Sequence, residues 1–256
     1  MTKVISFLLY NFFMSNKLIK KIDVKYSEMD HNLALKPFSL LNFLQDIASD
    51  SAEKLDFGYS YISKKNLAWY LLKYRIEFYD YPKNAQEITL KTAPRGYLKL
   101  FAFRDFEIIK NEKTIAKIAS TWALIDKNTG AIVSIANAIP DNPYMSTFQK
   151  QENDLSYQKI PAIENVTLEK TFEIRFEDID VNKHVNNSNY ILWALETLDF
   201  NSRTREIKTI DVNYKKEITY GQKVVSQVEI KDNITNHVLK CEATDEILCN
   251  ILIQWQ

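Results

Sequence analysis

Glycine is scarce in this chain: Gly58, Gly96, Gly130 and Gly221 are the four present in 256 residues. A G-x-G-x-x-G dinucleotide fingerprint and a G-x-x-x-x-G-K phosphate loop both need glycines at close, fixed spacing, and neither can be written from four isolated ones. No G-x-S-x-G elbow occurs, which removes the corresponding type of serine hydrolase. Cysteine and histidine are equally sparse. Cys241 and Cys249, with His31, His184 and His237, fit neither C-x-x-C nor H-E-x-x-H spacing, so no metal and no cofactor are expected. Two thiols also fall short of a disulfide framework and suit a reducing cytoplasm. No sign of charge is in excess, because 33 basic and 33 acidic side chains cancel. The electrostatic footprint of a nucleic-acid binder is therefore missing. The apolar run from Val4 to Phe13 is about half of what a bilayer demands, so no integral membrane span is predicted. No small-x-small cleavage site separates that run from the lysine-rich KLIKK at 17–21. Residues 1–16 read as an extension outside the fold, with Met14 as an alternative start.

What the chain does contain is 46% hydrophobic and 26% charged residues, an ordinary globular mixture, arranged as a repeat. Pro140, Pro143 and Pro161 fall in a polar stretch, 136–165, without helical or strand periodicity, which reads as a linker. The units on either side, 17–135 and 166–256, overlay. At an offset of 150, Val24-Lys25-Tyr26 falls on Ile174-Arg175-Phe176 as two strand starts, Asp30 on Asp180 and Asn32 on Asn182. At an offset of 136, Ile76-Glu77-Phe78 falls on Val212-Asn213-Tyr214, and the turn Lys83-Asn84-Ala85-Gln86 on Thr219-Tyr220-Gly221-Gln222. A helix in the first unit starts at Pro37 and carries Phe38, Leu40, Leu41, Phe43, Leu44, Ile47 and Ala48; one in the second is capped by Asn186 or Asn187 and carries Tyr190 to Leu198. Both are apolar nearly all round, which predicts full burial. Strand-like runs follow at 69–81, 86–93, 97–110 and 114–125, with Thr129-Gly130 as a turn between the last pair, and at 207–218, 222–231 and 236–256. The fold class is α+β, each unit one long helix wrapped by an antiparallel sheet of about five strands.

Polar groups concentrate in Asp180-Val-Asn182-Lys-His184-Val-Asn186-Asn187, at a strand-to-helix junction. A carboxylate, an amide and an imidazole alternate at i, i+2 and i+4, so an extended backbone would present all three on one side. They stand beside the start of a buried helix, whose free N–H groups favour developing negative charge, as an oxyanion-forming hydrolysis requires. The same composition also describes an Asn/Asp-rich capping loop with a hydrogen-bonded histidine. Comparing the repeats favours chemistry: the positions equivalent to His184 and Glu217 hold Ala34 and Tyr81. One copy is polar where the other is plain.

The string DIDVNKHVNNSNYILWALETL resembles the signature of the acyl-ACP thioesterases, which release fatty acids from acyl carrier protein. The likeness continues through LLNFLQDIASDSAEKL (40–55), LAWYLLKYRIEF (67–78), FRDFEI (103–108) and STWALID (120–126). The resemblance implies two tandem hotdog units, thioester hydrolysis in fatty acid biosynthesis, and a functional set of Asp180, Asn182, His184 and Glu217. Under it, Glu217 and His184 would hold and deprotonate a water, Asn182 would orient water or carbonyl, Asp180 would fix His184 or the loop, and helix-start amides near Asn186 and Asn187 would hold the oxyanion. A cysteine that follows the glutamate in plant members is here Ile218, which disfavours a cysteine acyl-enzyme. Ala93 stands where related sequences commonly have Trp. An acyl channel between the first unit's helix and sheet would involve Phe38, Leu41, Leu44, Trp69 and Leu71, although most of these read as plain core. An acidic carrier protein as partner would need a basic patch, with Arg95, Lys215, Lys216 and KLIKK as candidates. The alternatives are an acyl-CoA thioesterase on the same scaffold and a non-catalytic acyl-binding protein. Internal pairing of the two units allows a monomer as well as a homodimer.

Overall fold

The computed structural model of the chain describes residues 16–84 and 87–256. The apolar run at 4–13 and the turn residues Ala85 and Gln86 lie outside the described residues. Among the described residues eleven strands form one antiparallel sheet. The first half contains β1 (Leu18–Asp23), β2 (Leu67–Phe78), β3 (Glu87–Leu98), β4 (Phe101–Lys110), β5 (Lys113–Asp126) and the two-residue β6 (Ile132–Val133). The second contains β7 (Leu168–Glu173), β8 (Ile207–Tyr214), β9 (Lys223–Lys231), β10 (Ile234–Cys241) and β11 (Ile247–Trp255). The strand order β1-β3-β4-β5-β2-β8-β11-β10-β9-β7 reads as the same arrangement from either end, with β6 hung on β5. The two halves join where β2 pairs with β8. There Tyr74 lies opposite Val212, Arg75 opposite Asp211 and Ile76 opposite Ile210, so the repeat's equivalent positions 75 and 211 face each other at the seam.

Two helices lie against this sheet, α1 (Pro37–Lys54) and α2 (Asn187–Glu196), and they pack on each other. Proline at the first position of α1 fixes a helical φ where its missing N–H costs nothing. Asn186 caps α2 by accepting from the Ser188 N–H at 3.0 Å. Leu40, Leu44, Ile47, Ile76, Ile118, Ile191, Ile210 and Trp255 belong to a single hydrophobic cluster spanning both halves. The alternation of buried and open positions along β3 and β4 matches a sheet with one face on this core.

Several boundaries differ from the sequence reading. Val24-Lys25-Tyr26 and Ile174-Arg175-Phe176 do not start strands. β1 and β7 end just before them, and each leads into a short 3-10 turn, Tyr26–Glu28 or Phe176–Asp178, closed by an acid at its third position. The run 236–256 is two strands divided at 242–246, and the β4–β5 turn is Asn111-Glu112, both at positive φ, with Thr129-Gly130 lying beyond β5. Helix α1 is not buried all round: Asn42, Gln45, Asp46 and Ser49, spaced i, i+3, i+4, i+7, form a polar stripe on its open side. Apart from the short helix Ile135–Ala138, the segment 136–165 has no regular elements, yet it is strapped to the sheet. Arg95 pairs with Asp105 and, at 2.8 Å, with Asp154; Tyr157 bonds Thr121 at 2.8 Å; the Gln158 N–H reaches Asp211 at 3.1 Å; Asn236 reaches the Pro161 carbonyl at 3.0 Å. These partners alternate along their strands with core residues, so the strap crosses the sheet face turned away from the helices.

Candidate active site

The same loop is built twice, once before each helix. In the second unit Asp180 Oδ1 accepts the N–H groups of Asn182 (2.8 Å) and His184 (3.3 Å), the Asp180 N–H donates to the His184 carbonyl at 2.8 Å, and Lys183 takes φ +68° to close the turn. The first unit repeats this with Asp30, Asn32, Ala34 and Leu33, the last at φ +54°. An Asx turn thus replaces the extended backbone expected from the spacing. Its consequence is that Asp180, Asn182 and His184 do not share one side. Asp180 and Asn182, with Asn186, help wall a cleft of about 720 Å³ whose opposite wall is the polar stripe of α1 with Phe38, Trp69 and Trp122. His184 is turned instead toward the chain leaving β8.

That chain is pinned close by. The Val185 N–H donates to the Ile218 carbonyl at 3.0 Å, and the Tyr190 hydroxyl to the Lys216 carbonyl at 3.5 Å. Glu217, held between them, brings Oε2 to 2.6 Å from His184 Nδ1. The two groups touch without the alignment of a regular hydrogen bond, and both remain partly open, at 35% and 27% exposure. Burial pushes the Glu217 carboxyl up to about 7. Burial also lowers the His184 pKa; nearby Lys127 adds to that, and Asp180 opposes it. Near neutrality the histidine is therefore uncharged, and the glutamate is poised between its two forms. At the start of α2 the Asn187 N–H has no acceptor among the described residues, because the cap's side chain serves Ser188 and its carbonyl serves Asn189. The Asn187 carbonyl is fixed by the Tyr214 hydroxyl at 3.0 Å.

The remaining sequence candidates divide. Phe38 and Trp69 line the cleft, whereas Leu41, Leu44 and Leu71 are packed into the core behind it. A smaller apolar cavity of about 70 Å³ continues inward, sharing Ser49, Ala52, Trp69 and Trp122 with the cleft and reaching Ala102, Phe103 and Arg104 between α1 and the first-unit sheet. Arg95 is no free cation, since Asp105 and Asp154 hold it. Lys216 pairs with Glu246, and within KLIKK Lys20 pairs with Asp50 and Lys21 with Glu87. Lys215 is exposed and has no ion pair among the described residues. Sequence reasoning missed Lys127, which a turn of the first unit brings beside the second unit's histidine, and missed the stripe 42, 45, 46, 49, whose helical spacing was readable. Cys249 is nearer the site than its position suggests, because β11 sets it opposite Tyr214; burial pushes its thiol well up, so it stays protonated. Among the described residues no group of three or more His, Cys, Asp or Glu side chains could hold a metal ion, and no helix is long and apolar enough to cross a membrane.

Residues 15–142 match the family model of the acyl-ACP thioesterase N-terminal domain, and residues 162–256 that of the acyl-ACP thioesterase C-terminal domain. The chloroplastic oleoyl-acyl carrier protein thioesterase of Coriandrum sativum is 26% identical over 227 residues, covering 81% of this chain and 61% of the relative. The chloroplastic oleoyl-acyl carrier protein thioesterase 2 of Arabidopsis thaliana is 26% identical over 234 residues, 84% of this chain and 62% of the relative. The chain thus spans about three-fifths of the length of these curated relatives. An acyl-ACP thioesterase from Bacteroides thetaiotaomicron superposes with a TM-score of 0.81 at 22% identity, covering 94% of this chain and 98% of the other. The 12:0-ACP thioesterase from Umbellularia californica does so with a TM-score of 0.83 at 15% identity, covering 94% and 98%. At such identities the superpositions speak for the fold, the tandem hotdog arrangement.

Proposed function

Because the chain belongs to the acyl-ACP thioesterase family, we propose that it hydrolyses fatty acyl thioesters of acyl carrier protein to free fatty acids by an activated water, as a step of fatty acid biosynthesis in the cytoplasm. The observation that carries this reading is the contact between His184 and Glu217 at the end of the only repeat that has both groups. A thioester has a good thiolate leaving group, so one positioned acid–base pair can suffice. Glu217, whose carboxyl has no hydrogen-bond partner among the described residues other than this contact, takes the proton of a water held with His184. The water oxygen attacks the carbonyl carbon, and the Asn187 N–H at the helix start donates to the oxyanion. Collapse breaks the carbon–sulfur bond, and the proton returns to the departing thiolate. Asp180 shapes the loop, its Oδ1 being committed to two backbone N–H groups, and Asn182, on the cleft side of the loop, meets the acyl group rather than the water.

The acyl chain would enter the cleft beside Phe38 and Trp69 and continue toward Ala102 and Phe103. An acidic carrier would meet Lys127, Lys183 and Lys215, exposed lysines on the elements around the loop. Initial rates on acyl-ACP and acyl-CoA of one chain length, at equal concentration, test the substrate. The proposal expects the carrier thioester to be turned over at least tenfold faster. Equal rates, or a preference for CoA, would assign the chain to the other thioester.

A further inference from the structure

The repeat makes a second cleft. Where the loop 177–189 closes on α1, the equivalent loop 27–39 closes on α2, and a cavity of about 540 Å³ lies between them. That volume is within the range of small-molecule sites, roughly 300–1,000 Å³. The cleft has no hydrolytic pair. Ala34 stands in place of His184, and Tyr81, in place of Glu217, donates its hydroxyl to the Leu35 carbonyl at 2.9 Å.

Its charges are unevenly committed. All four acids in the wall are engaged: Glu28 by the Lys25 N–H at 2.6 Å, Asp30 by the N–H groups of Asn32 and Ala34, Glu196 by Arg203 at 2.7 Å, and Glu206 by Lys83. Two cations are not matched in this way. Among the described residues Lys36 Nζ reaches only the Ser27 carbonyl, at 2.9 Å, and Arg205, stacked 5.0 Å from the Trp255 ring, holds only the carbonyls of Ser202 and Asp232 at 3.4 Å each. Ser39, 7% exposed, lines the cavity with a hydroxyl that has no partner among the described residues, whereas its equivalent Asn189 bonds the Asp178 carbonyl at 3.1 Å. The start of α1 has no side-chain cap, so its first N–H groups add to the positive end. Leu35, Phe43, Leu192, Leu195 and Ile207 supply an apolar stretch of the wall, beside the uncharged polar side chains of Asn32, Asn42 and Thr204.

We propose that this cleft is a second, non-hydrolytic site for an anion-headed amphiphile, a free fatty carboxylate. The carboxylate lies on Lys36 and Arg205 with the Ser39 hydroxyl, and the tail lies along the apolar wall. The inference concerns binding and stands whether or not the first cleft hydrolyses acyl-ACP.

Calorimetric titration of the full chain with decanoate tests it, comparing wild type with the Lys36→Ala/Arg205→Ala double variant and with Arg205→Lys. The double variant should lose one binding event, weakened at least tenfold, while any other event is unchanged; Arg205→Lys should stay within threefold of wild type. Decanol, with the same tail and no charge, should bind this site at least tenfold more weakly. Superimposable isotherms for wild type and double variant, or no decanoate binding by wild type, would overturn the proposal. So would inorganic phosphate binding there as tightly as decanoate, since a bare anion would then suffice.

Discussion

Arg75 and Asp211 are equivalent positions of the repeat, and they are also each other's partners across the β2–β8 seam. A duplicated surface would place two like residues at this point; here it has become a buried cation and a buried carboxylate, under the strap that carries Gln158. Removing Asp211 leaves the buried Arg75 with Glu77 alone, a partly open carboxylate 3.5 Å away. Asp211→Asn should therefore destabilise the chain by about 3 kcal/mol in chemical unfolding, while a paired replacement by Met and Leu should be close to neutral.

Gly96 fixes the other end of the strap. It sits at a β-bulge with φ +86°, and a Cβ there would run into the Ser146 carbonyl oxygen that accepts the Tyr97 N–H at 2.9 Å. Gly96→Ala should cost upwards of about 1 kcal/mol and open the segment 145–160 to proteolysis. Unchanged melting and cleavage would contradict the strap's attachment.

The repeat, the helix starts and the polar loop were legible because each rests on local chemistry: proline at a first helical position, an Asn cap, and an Asp-x-Asn turn. Their arrangement in space was less so. The spacing of Asp180, Asn182 and His184 looked like a strand because side-chain alternation is the simplest inference from i, i+2, i+4. Hydrogen bonds from two backbone N–H groups to a single carboxylate oxygen fold the loop instead and send the histidine toward Glu217. Arg95 and Lys216 looked like surface cations because a sequence does not reveal which acids a strand pairing or a strap will bring beside them. Lys127 was invisible for the complementary reason, since it reaches His184 only through the packing of one unit on the other.

The Glu217 carboxyl predicts a pH dependence in two observables. The proposed mechanism requires its ionised form, so kcat/KM should rise with pH and level off above about 7. Stability runs the other way. The folded-state pKa lies above the unfolded value of about 4.5, so the contribution is fully present below that value and is lost as pH rises through about 7. Glu217→Gln removes this loss. The variant should be about 1 kcal/mol more stable than wild type at pH 8, a value trimmed by the group's partial exposure, and indistinguishable from it at pH 4.

A reaction through water leaves the thiols idle. Cys241 and Cys249 are both buried and free. The Cys241→Ser/Cys249→Ala variant should keep kcat within threefold, with any loss confined to thermal stability from the vacated volume at Cys249. Covalent capture of an acyl group on either sulfur would refute the water mechanism.

The most direct test of the account is single-turnover hydrolysis of purified acyl-ACP by His184→Ala and Glu217→Gln, each checked for a native fold by circular dichroism. The predicted result is a fall of at least a hundredfold in the chemical step for each, with little further loss when the two are combined, since they act as a unit. Rates within threefold of wild type for His184→Ala would contradict it.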